Sequence, residues 1–202
     1  MHEPARKIAL MVTGFALLLL SVAGIVYSSR VWLAQELYFN SKFGSASGDP
    51  ARILENCRRA DALYPFNYRF CLLAAETAHD SAATLTGDEA KERLAVAEKW
   101  CRRGIVLNPY PRGFNWLMSE FLWPHSPEMA VDIWKKYVDW DFWSAYNHSV
   151  LASLYARIGD FPGAEKELAW TRNSEYYALT SQLIAEKKRD TAQKATPQPQ
   201  GR

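Results

Sequence analysis

The sequence predicts an all-α protein: one apolar N-terminal helix, then a stack of short helices folded back on one another. Three observations predict this. Residues 8–27, IALMVTGFALLLLSVAGIVY, form a run without a single charge. From residue 49 onward, apolar and small residues recur at the three- and four-residue spacing of helix faces, and Gly, Pro and Asn punctuate them. One stretch, Leu151–Thr171, reads as two short helices joined by a tight turn, and weaker copies of it come earlier in the chain.

The bulk composition fits a moderate domain with accessories. Of 202 residues, 49% are hydrophobic and 13% aromatic, which is enough apolar material for a core. The net charge is +2 with both signs dispersed, so the clustered basic footprint of a nucleic-acid binder is missing and no nucleic-acid partner is expected.

Residues 1–7 make a short N-terminal tail. The apolar run behind it meets the roughly 20 residues that a helix needs to cross a bilayer. A transmembrane anchor over 8–29 is the expectation, carried on its lipid side by residues such as Ile8, Phe15 and Leu18. Tyr27 and Trp32 suit the interfacial aromatic belt. A cleaved signal peptide is the competing reading, with Ser21-Val22-Ala23 as a small-x-small site, but the apolar run is long for one. Arg6 and Lys7 before the run favour the N-terminus in the cytoplasm and the remainder outside, a contrast that Arg30 and Lys42 after it weaken. In a bacterial host this means an inner-membrane protein with a periplasmic domain.

Arg30–Phe43 continues helix-like, with Trp32, Leu33, Leu37 and Tyr38 apolar, and should be the first packing helix. The breaker-rich GSASGDP follows, and Asp49-Pro50 is a good helix start. Helices are expected over Asp49–Leu63, Tyr68–Asp80, Asp88–Leu107, Arg112–Trp123 and Pro127 to about Val138. Ser81–Glu89 reads as an inserted loop, and WDFWSAYN as a bridge into the last hairpin.

In that hairpin Leu151, Ala152, Leu154 and Tyr155 share i, i+1, i+3, i+4 spacing, and Gly159-Asp160 breaks the helix. Phe161 and Pro162 start the next helix, where Pro forfeits no hydrogen bond. Ala164, Leu168 and Thr171 then lie on one stripe. The same three places are filled by Ala130, Trp134 and Tyr137, by Ala97, Cys101 and Gly104, and by Ile53, Cys57 and Ala60. The segments RRADALYPFN and RRGIVLNPYP are the most alike pair. From Glu175 to Arg189, Tyr176, Leu179, Leu183 and Ile184 form one apolar face, as a capping helix requires. Residues 190–202, rich in Pro and Gln, are expected to be disordered.

Leu151–Thr171 resembles a tetratricopeptide repeat (TPR), with Leu, small, Tyr, Gly-Asp, aromatic, small, large and small residues at that family's spacings and a period of about 34 residues. Asp49–Thr171 follows the pattern more loosely: Tyr137 occupies a small-residue slot and Cys57 an aromatic one. The resemblance implies a helical-hairpin solenoid of about three to four repeats over residues 30–189. It also implies a scaffold that lines its groove with the first helix of each repeat. In this register the groove residues are Arg69, Leu72, Glu76, His79, Trp116, Glu120, Trp123, Tyr146, Ser149 and Ser153. Only Arg69 suits a chaperone-tail clamp, so that ligand is not expected.

Motifs for chemistry are few. The sequence holds no HExxH, GxSxG, P-loop or GxGxxG. His79-Asp80 lacks a nucleophile beside it and reads as a solvated pair. Asp139, Asp141 and Glu120 lack the spacing of paired glycosidase carboxylates. The three cysteines form no CxxC, so neither metal nor cofactor is expected, and they read as small buried hydrophobes. A Cys57–Cys71 disulfide is conceivable in an oxidising compartment, since both flank the Pro65 turn. Five of the eight tryptophans (Trp116, Trp123, Trp134, Trp140 and Trp143) crowd one span, where they serve as core filling or as a partner surface.

The expectation is therefore a non-enzymatic, membrane-anchored protein. It would act as a scaffold, assembly factor or accessory subunit of a cell-envelope membrane complex, with a protein partner in the groove. An accessory role in envelope polysaccharide synthesis or export is the alternative, with sugar rings on the aromatic side chains. An enzyme with an unrecognised site is a third, more remote reading, one that a perturbed carboxylate or histidine in a closed pocket would support.

Overall fold

A computed structural model describes residues 3–195, and the chain is helical throughout, with no strand among the described residues. It divides into two compact units, residues 1–107 and 108–202.

The first unit opens with α1, Glu3–Phe43, one unbroken helix of 41 residues. At 1.5 Å per residue it is about 60 Å long, twice the thickness of a bilayer's hydrocarbon core. Within it lies a segment long and apolar enough to cross a membrane, none of it buried inside the protein. From Tyr27 onward one side of the same helix packs against the rest of the unit. The Tyr27 ring meets Tyr64 edge-on, Arg30 Nη2 donates to the Ala62 carbonyl at 3.2 Å, and Ala34 and Tyr38 are buried against Ala60 and Phe70.

Helices α2 (Pro50–Leu63), α3 (Tyr68–Ala82) and α4 (Gly87–Leu107) complete this unit. Asp49 caps α2, its Oδ1 accepting from the amides of Ala51 and Arg52, and Asn67 caps α3 the same way through Arg69. The expected insertion at Ser81–Glu89 shrinks to a break of a few residues. α3 runs on to Ala82, and Gly87, at a φ of +64° that favours glycine, already begins α4. Arg103 then ties α4 to α2 through both Nε and Nη2 on Asp61 Oδ1, at 3.1 and 2.8 Å.

The second unit comprises α5 (Arg112–Leu122), α6 (Pro127–Trp140), α7 (Ala145–Ile158), α8 (Phe161–Leu168) and α9 (Tyr176–Ala195), with a 3-10 turn over Ala169–Thr171. The turn between α7 and α8 is built as the sequence indicates. Gly159 sits at φ +85°, and the Asp160 side chain caps α8 through the Gly163 amide at 3.0 Å. Two expectations change. The WDFWSAYN bridge is half helix: Trp140 ends α6, Ser144 caps α7, and Ala145 begins it. The last helix runs past Arg189 to Ala195, while residues 196–202 of the segment expected to be disordered lie outside the described residues.

The three-place stripe is the packing face of all four helices that carry it. Ile53, Cys57 and Ala60 are buried on α2, Ala97, Cys101 and Gly104 on α4, and Ala130, Trp134 and Tyr137 on α6. Ala164 and Thr171 are buried at the fourth copy, with Leu168 half-buried. Spacing of i, i+4, i+7 keeps these side chains within one narrow stripe of a helix, so each copy buries the same side.

Candidate partner-binding cleft

The ten groove residues are divided between the two units. Arg69, Leu72, Glu76 and His79 are on α3 and avoid its buried side, which is made by Phe70, Cys71, Ala74, Ala75 and Ala78. Arg69 is exposed, and its guanidinium rises further above its ordinary pKa through a hydrogen bond with the Tyr68 hydroxyl. Glu76 is half-buried. Burial first, then Asp80, push its carboxyl above the usual carboxylate range, while Lys42 pulls the other way. His79 Nδ1 lies 3.3 Å from Asp80 Oδ1.

In the second unit five of the remaining six, Trp116, Glu120, Tyr146, Ser149 and Ser153, line one cleft of about 360 Å³. α5 contributes Trp116 and Glu120, and α7 contributes Tyr146, Ser149 and Ser153. The serines supply small size rather than free hydroxyls: Ser149 Oγ donates to the Tyr146 carbonyl at 2.7 Å and Ser153 Oγ to the Ser149 carbonyl at 2.8 Å. The sixth residue, Trp123, does not line the cleft. It packs on the Trp134 core, and the Arg157 guanidinium stands 3.7 Å from the centre of its ring. Helix α6 touches the cleft through Trp134, whose ring N–H donates to the Asn147 carbonyl at 3.0 Å.

Sequence reasoning missed the far wall. Tyr176, Leu179, Thr180 and Leu183 of α9, with Arg157 of α7, complete the lining. The signal was present, since Tyr176, Leu179 and Leu183 fall at i, i+3 and i+7, but it reads equally as a cap covering core. Leu179 covers nothing: it is 72% exposed. Tyr176 sets the wall's angle by meeting Tyr146 edge-on at 5.4 Å, and Arg112 stacks on Tyr146 at 4.6 Å. The resulting lining is mainly apolar, with the rings of Trp116, Trp134, Tyr146 and Tyr176 and the charged Glu120 and Arg157 among it.

A second cavity in this unit, about 390 Å³, lies among α6, α7 and α8. At its base is His148, which the sequence gave no reason to select. It is 4% exposed, with Nε2 at 2.6 Å from the Phe142 carbonyl and Nδ1 at 2.6 Å from Glu167 Oε2. The Phe142 carbonyl only accepts, so in the hydrogen bond at Nε2 the ring is the donor. Trp170, exposed at its other face, stacks on the imidazole at 9°. Lys135, Asp139 and Lys166 also line the cavity. Tyr155 completes it, its hydroxyl pushed above its ordinary pKa by burial first and then by Glu167, Asp160, Asp132 and Asp139.

None of the three cysteines is in a disulfide, and all are buried. Burial pushes Cys57 and Cys101 up to about 12 and Cys71 to about 11. Among the described residues no three His, Cys, Asp or Glu side chains gather as a metal site would need. Comparison with known protein families, curated proteins and solved structures finds no match to this chain.

Proposed function

We propose that this chain is a single-pass membrane protein, set in the bacterial inner membrane by α1, whose periplasmic TPR-like helices hold a protein partner. In this reading it is a scaffold, assembly factor or accessory subunit of an envelope complex, without catalytic activity. The observation that carries the reading is the second unit's cleft. Its mainly apolar lining, the rings of Trp116, Tyr146 and Tyr176 within it, and the exposed Leu179 suit an apolar or amphipathic peptide segment better than a small polar metabolite. The apolar half of α1 supports the membrane assignment.

The test is affinity purification of the full-length chain from membranes in mild detergent, beside a Leu179→Glu variant shown by circular dichroism to be folded. The expected result is a stoichiometric protein partner held by the wild type and lost from the variant. Equal retention by both would overturn the cleft as the binding surface.

One observation favours a second reading, an accessory role in envelope polysaccharide synthesis or export. The rings of Phe142, Tyr155 and Trp170 stand beside Asp139, Glu167, Lys135 and Lys166 in the other cavity. Sugar recognition needs such polar groups next to aromatic faces, and the sequence alone did not place them together. Recovery of glycan rather than protein, sensitive to Trp170→Ala, would select this reading.

A further inference from the structure

We infer that the turn between α2 and α3 and the last turn of α4 sit on the membrane surface from which α1 emerges, with Phe66 and Val106 among the lipid headgroups. This seat rests on the membrane-spanning reading of α1, and what it meets is the phospholipid leaflet itself.

The charges on α1 mark where that surface crosses the helix. Between Lys7 and Arg30 lie 22 residues without a charge. They make about 33 Å of helix, against about 30 Å of hydrocarbon. The crossing therefore falls close to Tyr27 and Arg30, with little play. α1 is unbroken through this point, so the bilayer sets the height of whatever packs on those two residues.

What packs there is the end of α2. This helix runs back along α1 toward the bilayer. Asn56 Nδ2 donates to Ser41 Oγ at 3.0 Å, Ala60 is buried beside Ala34, Arg30 reaches the Ala62 carbonyl at 3.2 Å, and Tyr64 meets Tyr27. The turn over residues 64–67 is thus the end of the unit nearest the lipid. Three rings follow one another into it, with Tyr27 and Tyr64 edge-on at 6.2 Å and Tyr64 and Phe66 edge-on at 5.9 Å. Phe66, the last of them, is 70% exposed. α4 ends at the same level, because Arg103 holds Asp61 and its Nη2 donates to the Pro65 carbonyl at 3.5 Å. Three residues on from Arg103, Val106 is 85% exposed. The connections over residues 44–49 and 83–86 lie a helix length away, at the other end of the unit.

Both exposed side chains are left out of this unit's core and are poorly placed in water. A headgroup layer suits them, as it suits Tyr27 and Trp32 on α1. Arg30 spends one N–H on the Ala62 carbonyl and has others to offer lipid phosphate. Between Glu55 and Glu76 the only carboxylate is Asp61, and Arg103 holds it, so it does not repel an anionic leaflet. A protein covering Phe66 would have to enter between this turn and the bilayer, where lipid already stands.

The test uses the full-length chain reconstituted in vesicles of phosphatidylcholine and phosphatidylglycerol. An environment-sensitive fluorophore is placed on one introduced cysteine at a time, and nitroxide quenchers are carried on the lipid headgroups or deep in the acyl chains. The buried native thiols stay in place, and the unsubstituted chain taken through the same labelling gives the background. Labels at Phe66→Cys and Val106→Cys should lose most of their fluorescence to the headgroup quencher. A label at Ser47→Cys, exposed at the far end, should keep it. A label at Leu18→Cys, inside the uncharged run, should be quenched from the acyl chains. With Leu18 quenched, fluorescence retained at position 66 or 106 would overturn the seat and leave α1 in the membrane. Quenching at Ser47 equal to that at Phe66 would overturn it too, since this end of the unit would then have no privileged contact with lipid. Retained fluorescence at Leu18 would overturn the membrane reading, and the seat with it.

Discussion

Trp134→Phe should be among the most damaging conservative changes in the second unit. Trp134 is fully buried and carries two kinds of stabilisation. Its ring N–H donates to the Asn147 carbonyl at 3.0 Å, and its ring packs edge-on with Tyr137 at 5.6 Å within the cluster of Val131, Val138, Leu151 and Leu154. Phe keeps a ring but has no donor. The Asn147 carbonyl lies within α7 and keeps its helical donor, so the loss is one hydrogen bond, about 0.5–1.5 kcal/mol. Losing roughly two carbon equivalents of buried ring costs about 1.5 kcal/mol more, before any term for the cavity left behind. The sum is about 2–3 kcal/mol. For a unit of under 100 residues this is a fall in Tm of roughly 8–24 °C, at 4–8 °C per kcal/mol. Thermal unfolding of the detergent-solubilised chain, followed by near-ultraviolet circular dichroism, reads it directly. A shift under about 5 °C would refute the argument, because it would mean that neither the hydrogen bond nor the packing at this position is formed.

Other expectations follow from the same geometry. Glu76→Gln should raise stability near pH 7 and leave it unchanged well below pH 4. The folded state holds the Glu76 proton more tightly than the unfolded chain, so stability falls as pH rises from the unfolded value through the raised folded one, and the neutral amide escapes that loss; urea titrations at both pH values measure this. The native thiols should react with a thiol reagent at pH 8 at least 100-fold more slowly than in denaturant, since burial holds them at about 11 to 12 against an ordinary 8.5. A non-reducing mass of the unfolded chain should count three free thiols. Gly159→Ala should cost about 1–2 kcal/mol, because the φ of +85° that ends α7 crowds any Cβ; a lowered urea midpoint with an unchanged slope would register it.

How much was legible in the sequence depended on how local its cause was. The caps at Asp49, Asn67, Ser144 and Asp160 act within three residues, and three of these four helix starts could be placed from the sequence. Ser144 was overlooked because the surrounding aromatic residues, Trp140, Phe142, Trp143 and Tyr146, give no helical period of their own. The stripe of Ala130, Trp134 and Tyr137 was readable because packing repeats along the helix at a fixed interval. Insertion length was not readable: Ser81–Glu89 is polar, yet most of it is helical, since nothing in SAATL prevents α3 from continuing to Ala82. The cleft was half legible. Trp116, Glu120, Tyr146, Ser149 and Ser153 follow from helix register, but its far wall depends on where α9 folds back, which no local spacing encodes.

The crowded tryptophans show where that limit lies. Five rings within one span invited a single explanation, but the structure gives them different environments. Trp134 is core; Trp116 and Trp123 are half-buried, one on the cleft and the other under Arg157; Trp140 is 48% and Trp143 70% exposed. The division follows the helix face. Trp134 sits on the stripe that α6 turns toward α7, whereas Trp143 lies in the short connection beyond that helix, where there is no packing face to recruit it. Exposed Trp140, Phe142 and Trp143 are costly to leave in water, and core filling does not account for them. The backbone at Phe142 is held by the hydrogen bond of its carbonyl to buried His148, whose ring supports Trp170. A ring carried on a held backbone loses less freedom on binding than one on a loose segment, and its position, rather than the number of rings around it, sets it apart from core.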